Sequence, residues 1–208
     1  MEYIRRLIDD QLDRKSESFG AIHIVGPKGS GKTRTAKERC KTVIEFQDEE
    51  KRAGYLAVAQ TSPNLFLNNE KPILFDEWQD APKIWGTIRK ACDDAPEDTG
   101  RYYLTGSTSQ KVNTPHTGTG RITELQLYPL TLWETKESNG TVSLTQLFEN
   151  PEYNSDGKLS TLRLEDLFFA VCRGGRPRCI ALQSKEAKLE IAKDYYRQIC
   201  NKDVQALD

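Results

Sequence analysis

Residues 26–33 read Gly26-Pro27-Lys28-Gly29-Ser30-Gly31-Lys32-Thr33 and fit the pattern GxxxxGK[ST] at every position. A short, β-branched run, Ala21–Val25, precedes them, and a segment of helical character follows them. Glycines in such a turn allow successive backbone N–H groups to point at one anion. The start of the following helix adds partial positive charge. In this context the pattern predicts a phosphate-binding loop (P-loop) between a buried parallel strand and a helix, rather than a fortuitous glycine-rich turn.

The residues of this loop have different predicted roles. Lys32 can reach the β- and γ-phosphates of a nucleotide, and the Thr33 hydroxyl can ligate Mg²⁺. Pro27 has no N–H to donate, but it lies ahead of the amides that run from Gly29 to Thr33. The residues predicted to contact the nucleotide are Gly26, Pro27, Lys28, Gly29, Ser30, Gly31, Lys32, Thr33 and Arg34.

A pair of acids follows a second apolar run, in which Ile73–Phe75 leads into Asp76 and Glu77. A parallel strand that ends here places a carboxylate at the carboxyl edge of the sheet, beside the P-loop. We predict that Asp76 holds the Mg²⁺ shell and that Glu77 polarises the water that attacks the γ-phosphorus. The alternative is a strand end followed by a helix cap, but a P-loop upstream favours the functional interpretation.

Hydroxyl groups mark the end of another predicted strand, which begins at Tyr102 and leads into Thr105 and Ser107. A hydroxyl there could bond the γ-phosphate or the attacking water and so act as a sensor. Ser107 is preferred over Thr105, because Gly106 allows the loop to curl inward. A hydroxyl satisfied within its own turn is the alternative.

Arginines provide the remaining candidate groups. Arg121 follows two glycines and could neutralise transition-state charge as an arginine finger, in its own subunit or in a neighbour. A solvated loop arginine is the competing interpretation. Arg173, Arg176 and Arg178 cluster around Gly174. One of them could close over the phosphates, and Arg178 is a weak candidate for this role, because a basic surface patch explains the cluster equally well.

Composition limits the class of protein. With 208 residues, 37% hydrophobic and 29% charged, the chain suits one soluble globular domain or a core with a small appendage. A net charge of −1 argues against binding nucleic acid with the whole surface. No apolar run approaches the roughly 20 residues of a membrane span, and the amino terminus lacks an apolar signal core. Five scattered cysteines suit a reducing compartment, so we expect a cytoplasmic protein.

Apolar periodicity predicts alternating strands and helices in the first half, which implies crossover connections and a parallel sheet. Predicted strands are 21–25, 43–46, 73–75, 102–104 and 123–127. Three helices are predicted in this half. The first carries Ile4, Leu7, Ile8 and Leu12, the second spans 32–42, and the third carries Ile84, Trp85, Ile88, Ala91 and Cys92. In the second half, 134–140 and 150–160 read as loops. Helices are expected around Leu164–Val171 and Ile191–Ile199.

Five segments occur in an order that resembles a known family: GPKGSGKT, ILFDEWQDAP, YYLTGSTS, HTGTGRI and CRGGRP. Together they resemble the amino-terminal ATPase module of a bacterial and archaeal group within the AAA+ superfamily, over nearly the whole chain. The resemblance implies a three-layer α/β/α fold of the P-loop NTPase type. Its parallel five-stranded sheet would have the order 5-1-4-3-2, with a small helical lid. The implied functional residues are Lys32, Thr33, Asp76, Glu77, the segment Thr105–Ser107, and Arg121 as the finger.

In that group a carboxyl-terminal domain of unknown function follows the ATPase module. We therefore expect residues 1–134 to form the ATPase core and residues 135–208 the helical lid region. The chain stops at Asp208, about where the next domain would begin. We accordingly expect that domain to be missing from this chain.

The leading hypothesis is an ATPase that hydrolyses ATP with Mg²⁺ by in-line attack of water and resets a conformational switch read by a partner domain. A P-loop small-molecule kinase is the first alternative, but Glu77 directly after Asp76 favours water as the acceptor. The second is a nucleotide-dependent binding module with negligible hydrolysis, which could contact nucleic acid through the arginines near Gly174. If Arg121 acts on a neighbouring subunit, the active unit is a homo-oligomer; no motif distinguishes ATP from GTP.

Overall fold

The computed structural model of the protein describes residues 2–107 and 117–203. Contacts between residues divide the chain into two compact units, one comprising Glu2–Tyr128 and one beginning at Pro129. Within the two described ranges, no helix has both the length and the apolar character needed to cross a membrane. The assignment of residues 135–208 to a lid stays a prediction.

Five parallel strands form the sheet of the first unit. They are β1 (Ala21–Gly26), β2 (Thr42–Glu45), β3 (Ile73–Asp76), β4 (Tyr102–Ser107) and β5 (Ile122–Gln126). Their order across the sheet is β2-β3-β4-β1-β5, which confirms the predicted order 5-1-4-3-2. Ala21 of β1 pairs with Tyr102 of β4 on one side and with Ile122 of β5 on the other. The carboxyl ends of β1, β3 and β4 therefore meet at one edge of the sheet.

Among the described residues of this unit, the helices are α1 (Asp9–Ser18), α2 (Lys32–Lys37), α3 (Arg52–Thr61) and α4 (Lys83–Asp94). Two short 3-10 segments, Pro63–Asn68 and Trp78–Asp80, lie on either side of β3 in the chain. Ile84, Trp85, Ile88 and Cys92 of α4 are buried, as their spacing predicted.

Two apolar clusters cover the two faces of the sheet, since successive strand residues point to opposite sides. One cluster joins Phe75 and Leu104 to Ala59 of α3 and Ile88 of α4. The other cluster joins Ile22, Ile24 and Leu74 to Leu12 of α1 and Ala36 of α2. Burial on both faces fits the parallel α/β/α arrangement and leaves the ends of the strands available for polar groups.

The first helix begins later than its apolar pattern predicted, at Asp9 rather than near Ile4. The Asp9 carboxylate accepts hydrogen bonds from the Arg6 backbone N–H at 2.7 Å and from the Tyr3 hydroxyl at 2.8 Å. These bonds hold the preceding residues in an irregular turn, and Leu7 is left exposed. A buried polar interaction therefore overrides the apolar periodicity here.

The connection between β2 and β3 contains α3, which the sequence analysis missed, although Tyr55, Leu56 and Ala59 have helical spacing. The helix after the P-loop is shorter than predicted and ends at Lys37. The N–H groups of Lys41 and Thr42 both donate to the Pro72 carbonyl, which draws the chain into the sheet and prevents further helix.

The second unit is helical. It contains α5 (Leu144–Glu149), α6 (Leu164–Arg173), α7 (Pro177–Ala181) and α8 (Lys185–Gln198), which runs into a π-helical segment at Ile199–Asp203. Helices α6 and α7 both pack against α8. Residues 134–140 and 150–160 contain no helix or strand, which confirms the two predicted loops.

Candidate active site

The loop between β1 and α2 carries the GxxxxGK[ST] residues. Gly31 has a φ of 102°, a left-handed conformation that favours glycine, and it directly precedes Lys32. Ser30 is fully buried, and its N–H donates to the Pro27 carbonyl at 3.2 Å. Lys28 is exposed at the loop's outer side. The chain therefore reverses sharply after β1 and returns to enter α2.

Lys32 folds back over its own loop. Its ammonium Nζ donates to the carbonyl oxygens of Gly26 at 2.9 Å and Pro27 at 3.2 Å, and the residue is only 6% exposed. Burial lowers the pKa of Lys32, whereas the nearby negative charges of Glu77 and Asp76 raise it. The cation thus lies inside the loop and within electrostatic reach of both acids.

The Asp76 carboxylate accepts hydrogen bonds from two hydroxyl groups on neighbouring elements. The Thr33 Oγ1, in the first turn of α2, donates to Asp76 Oδ1 at 2.7 Å. The Thr105 Oγ1 of β4 donates to the same carboxylate oxygen, and Thr105 is fully buried. Asp76 and Thr105 are paired in the register of β3 and β4. The fold therefore brings together Thr33, Asp76 and Thr105, which lie far apart in the chain.

Glu77 adopts a left-handed backbone conformation, with φ 53° and ψ 50°. This costs a non-glycine residue about 1–2 kcal/mol. The Glu77 N–H donates to Thr105 Oγ1 at 3.4 Å, and its carboxylate accepts a hydrogen bond from the Gln79 side-chain amide. Sequence reasoning missed Gln79, because nothing in the spacing of Glu77 and Gln79 indicates that the chain turns back on itself there.

Trp78 anchors this turn to β1. Its indole Nε1 donates to His23 Nε2 at 3.0 Å, and the two rings are 5.6 Å apart, edge to face. Burial lowers the pKa of His23 to about 4, so the imidazole is neutral near pH 7 and can accept this hydrogen bond. His23 is thus a hydrogen-bonded strand residue, and its bond helps to hold the residues after Asp76.

Stability should depend on pH through His23. The folded-state pKa of His23 is about 4, below the ordinary value of 6.5. The contribution of His23 to the free energy of unfolding is therefore complete above pH 6.5 and is lost as the pH falls towards 4. Linkage gives a loss of about 2 kcal/mol in the free energy of unfolding between pH 7 and pH 5. Urea denaturation at both pH values measures it.

The matched variant is His23→Gln, which keeps an acceptor for Trp78 but does not titrate in this range. Its loss of stability between pH 7 and pH 5 should be smaller than that of the unsubstituted protein by about 2 kcal/mol. Equal losses in the two proteins would show that His23 is not held neutral by the fold.

Arg121 is not brought to the other candidate residues. It precedes β5, and its carbonyl accepts from the N–H of Ala21, the first residue of β1. The P-loop follows the other end of β1, roughly 17 Å away along the strand. The Arg121 Nε donates to Asp93 at 2.5 Å, and Asp93 also pairs with Arg89 at 3.0 Å. Within its own subunit, Arg121 lies at the amino edge of the sheet.

The remaining predicted residues have varied surroundings. Ser107 ends β4 in register with Gly26, but its side chain lies outside the described part, as do residues 108–116, including His116 of the HTGTGRI segment. Arg34 is exposed on α2 and pairs with Glu38 at 2.7 Å.

The three arginines around Gly174 do not form one exposed basic patch in the second unit. Arg173 is buried and pairs with Glu137. Arg176 lies over the Tyr195 ring, 3.2 Å from its centroid. Arg178 is exposed. A role of any of them towards phosphate stays a prediction.

Comparison with known proteins supports the fold and indicates the family. Residues 18–136, more than half of the chain, match the sequence model of a family described as an AAA domain. No curated protein matches the chain by sequence. Among solved structures, the Walker-type ATPase PABY2304 of Pyrococcus abyssi is similar, with a TM-score of 0.51 and 11% identity. The similarity covers 99% of this chain and 75% of that protein, and at this identity it shows the fold alone.

Proposed function

Because this chain belongs to the AAA domain family, we propose that it is an ATPase, which binds ATP with Mg²⁺ at Gly26–Thr33 and hydrolyses it. The observation that carries the proposal is the convergence of Lys32, Thr33, Asp76 and Glu77 at one edge of the sheet. The first two follow β1, whereas the acids lie at and just after the end of β3, so the parallel sheet brings to one edge groups that are far apart in the chain.

Lys32 is suited to phosphate binding because its ammonium already lies inside the loop that would surround the anion. Phosphate oxygens would replace the Gly26 and Pro27 carbonyls as acceptors, and charge-assisted bonds to phosphate are stronger than bonds to neutral carbonyls. Binding of phosphate would also offset the free-energy cost of burying the positive charge of Lys32. Arg34 and Lys28, both exposed beside the loop, are proposed as outer contacts to the nucleotide.

The Thr33 hydroxyl and the Asp76 carboxylate fit a magnesium site. Both are hard oxygen ligands, and Mg²⁺ is commonly held by one or two protein oxygens together with substrate phosphates and water. Their oxygens are 2.7 Å apart, so one ion could contact both after a small adjustment. Bound Mg²⁺ would neutralise charge that develops on the phosphate oxygens. Thr105, which also donates to Asp76, would orient this carboxylate.

Glu77 is proposed as the group that accepts a proton from the attacking water. Its left-handed backbone directs the residue out of the line of β3, and Gln79 orients its carboxylate. A carboxylate needs fixed geometry to act as a general base, and these contacts supply it. Thr105, Ser107 or both would sense the γ-phosphate from the end of β4.

Phosphate release without any phosphoryl acceptor tests the proposal. The protein is incubated with ATP and Mg²⁺ alone, and inorganic phosphate is measured with and without EDTA. We expect EDTA-sensitive turnover of ATP to ADP and phosphate. Strict dependence on an added small-molecule acceptor would replace the ATPase with a kinase. ATP binding with no release at any protein concentration would favour a binding module.

We further propose that turnover drives a conformational switch that a partner domain reads.

The position of Arg121 at the amino edge of the sheet supports a role in a neighbouring subunit rather than in its own. Phosphate release measured over a range of protein concentrations tests this role of Arg121, because an arginine finger supplied by a second copy makes the specific activity rise with protein concentration.

A further inference from the structure

Arg6 joins two parts of the first unit that are distant in sequence. Its Nη1 donates to the Ser30 carbonyl of the P-loop at 2.9 Å, and its Nη2 donates to the Tyr128 carbonyl at 2.6 Å. Tyr128 lies just beyond β5 and is the last residue of the first unit. One planar guanidinium thus connects the phosphate loop to the segment that leads out of the sheet.

The position of Arg6 is built into the fold. The residue is only 5% exposed, and a buried cation is costly unless it is well hydrogen-bonded. Its backbone N–H is held by Asp9, which is itself 3% exposed and also bonds Tyr3 and Arg39. Arg6 is therefore held at its backbone by Asp9 of α1 and at its guanidinium by the Ser30 and Tyr128 carbonyls, and it is not a mobile surface group.

A second contact links the same two segments. The Leu127 N–H donates to the Val25 carbonyl at 2.7 Å. A Cβ atom added to Gly26 would lie 2.2 Å from the Leu127 carbonyl oxygen, so only glycine allows this approach. The segment 127–128 therefore contacts the loop directly at Gly26 and is joined to Ser30 through Arg6, and a shift of the loop must be accommodated by this segment.

The loop has reasons to shift when phosphate enters. Lys32 would have to release the Gly26 and Pro27 carbonyls to reach a phosphate. The buried Ser30 Oγ has no hydrogen-bond partner among the described residues, which is a cost that a rearranged loop can relieve. Both observations indicate that the stretch held by Arg6 differs between the two ligation states.

We propose that Arg6 is a positioning residue that couples the state of the P-loop to the segment Leu127–Tyr128, and so to the point where the second unit begins. The proposal rests on the nucleotide binding proposed above. Movement of the Ser30 carbonyl would displace the guanidinium that is hydrogen-bonded to it. Because the guanidinium is planar and rigid, its other N–H donor would transmit this movement to the Tyr128 carbonyl. Arg6 itself touches no reacting atom.

Hydrogen exchange with and without ADP and Mg²⁺ tests the coupling. In the unsubstituted protein we expect ADP to slow exchange in peptides that cover the P-loop and in a peptide that covers 125–132. In Arg6→Gln the protection of the loop should persist, with affinity for ADP lowered about tenfold, whereas the protection of 125–132 should disappear. Isothermal titration measures the affinity.

The matched control is Arg5→Gln, because the Arg5 side chain is 76% exposed and pairs with exposed Asp10. It should behave like the unsubstituted protein. Arg6→Lys keeps the buried positive charge but lacks the planar guanidinium that bonds both carbonyls. This variant should therefore fold and still lose the ADP-dependent protection from exchange at 125–132. Full protection at 125–132 in Arg6→Lys or Arg6→Gln would overturn the coupling alone. Failure of the unsubstituted protein to bind ADP would overturn the proposed function and the coupling together.

Discussion

A Lys32→Ala protein is expected to bind ATP at least about 100-fold more weakly than the unsubstituted protein. The ammonium is proposed to make charge-assisted bonds to the β- and γ-phosphates, and losing two such bonds accounts for a change of this size. Turnover should fall below detection, because the same charge stabilises the transition state. Titration calorimetry with ATP and Mg²⁺ measures the affinity, and phosphate release measures the rate.

Loss of folding must be separated from loss of binding in this variant. The carbonyls of Gly26 and Pro27 lose a donor, so a decrease of about 1–3 kcal/mol in the free energy of unfolding is expected as well. Lys37→Ala is the control, because it removes from the same helix a lysine whose ammonium pairs with half-exposed Glu45 at 2.6 Å. A folded Lys32→Ala protein with unchanged ATP affinity would refute the assignment of the loop.

The second large effect is expected for Glu77→Gln, which should retain ATP but turn it over about 100- to 10,000-fold more slowly. The amide is nearly isosteric with the carboxylate, and its oxygen can still accept the hydrogen bond from Gln79. The backbone bond to Thr105 is unaffected. What disappears is the capacity to take a proton from water.

Single-turnover phosphate release and ATP titration together measure this effect. Glu70→Gln is the matched control: Glu70 precedes β3, and its exposed side chain pairs with exposed Lys41 at 2.7 Å. An exposed ion pair of this kind contributes little, so the control should be indistinguishable from the unsubstituted protein. If Glu77→Gln hydrolyses ATP at the parent rate, Glu77 is not the base.

The local pattern at the P-loop was sufficient to predict both the motif and its setting. Glycines followed by Lys32 and Thr33, after a β-branched run, require a tight turn between a strand and a helix. The same holds for Asp76 at the end of β3 and for the buried face of α4, because these features depend on neighbouring residues alone. The strand order came from the family resemblance, and the structure confirms it.

Features that depend on distant residues could not be predicted in this way. His23 supports the acidic turn through its bond to Trp78, a contact that exists only once β1 and β3 lie in one sheet. The start of α1, by contrast, was placed too early for a local reason, since the bonds of Asp9 to Tyr3 and Arg6 compete with apolar periodicity.

The chain's own residue order determined that a phosphate loop, a strand ending in two acids and alternating helices would be present, since each is a local property. Tertiary structure alone decided which of these groups meet. It joined Thr33 and Thr105 to Asp76, left Arg121 at the opposite edge of the sheet, and set Arg6 between Ser30 and Tyr128. The physical reason is that crossover connections, strand order and register, rather than separation along the chain, fix the distances between side chains.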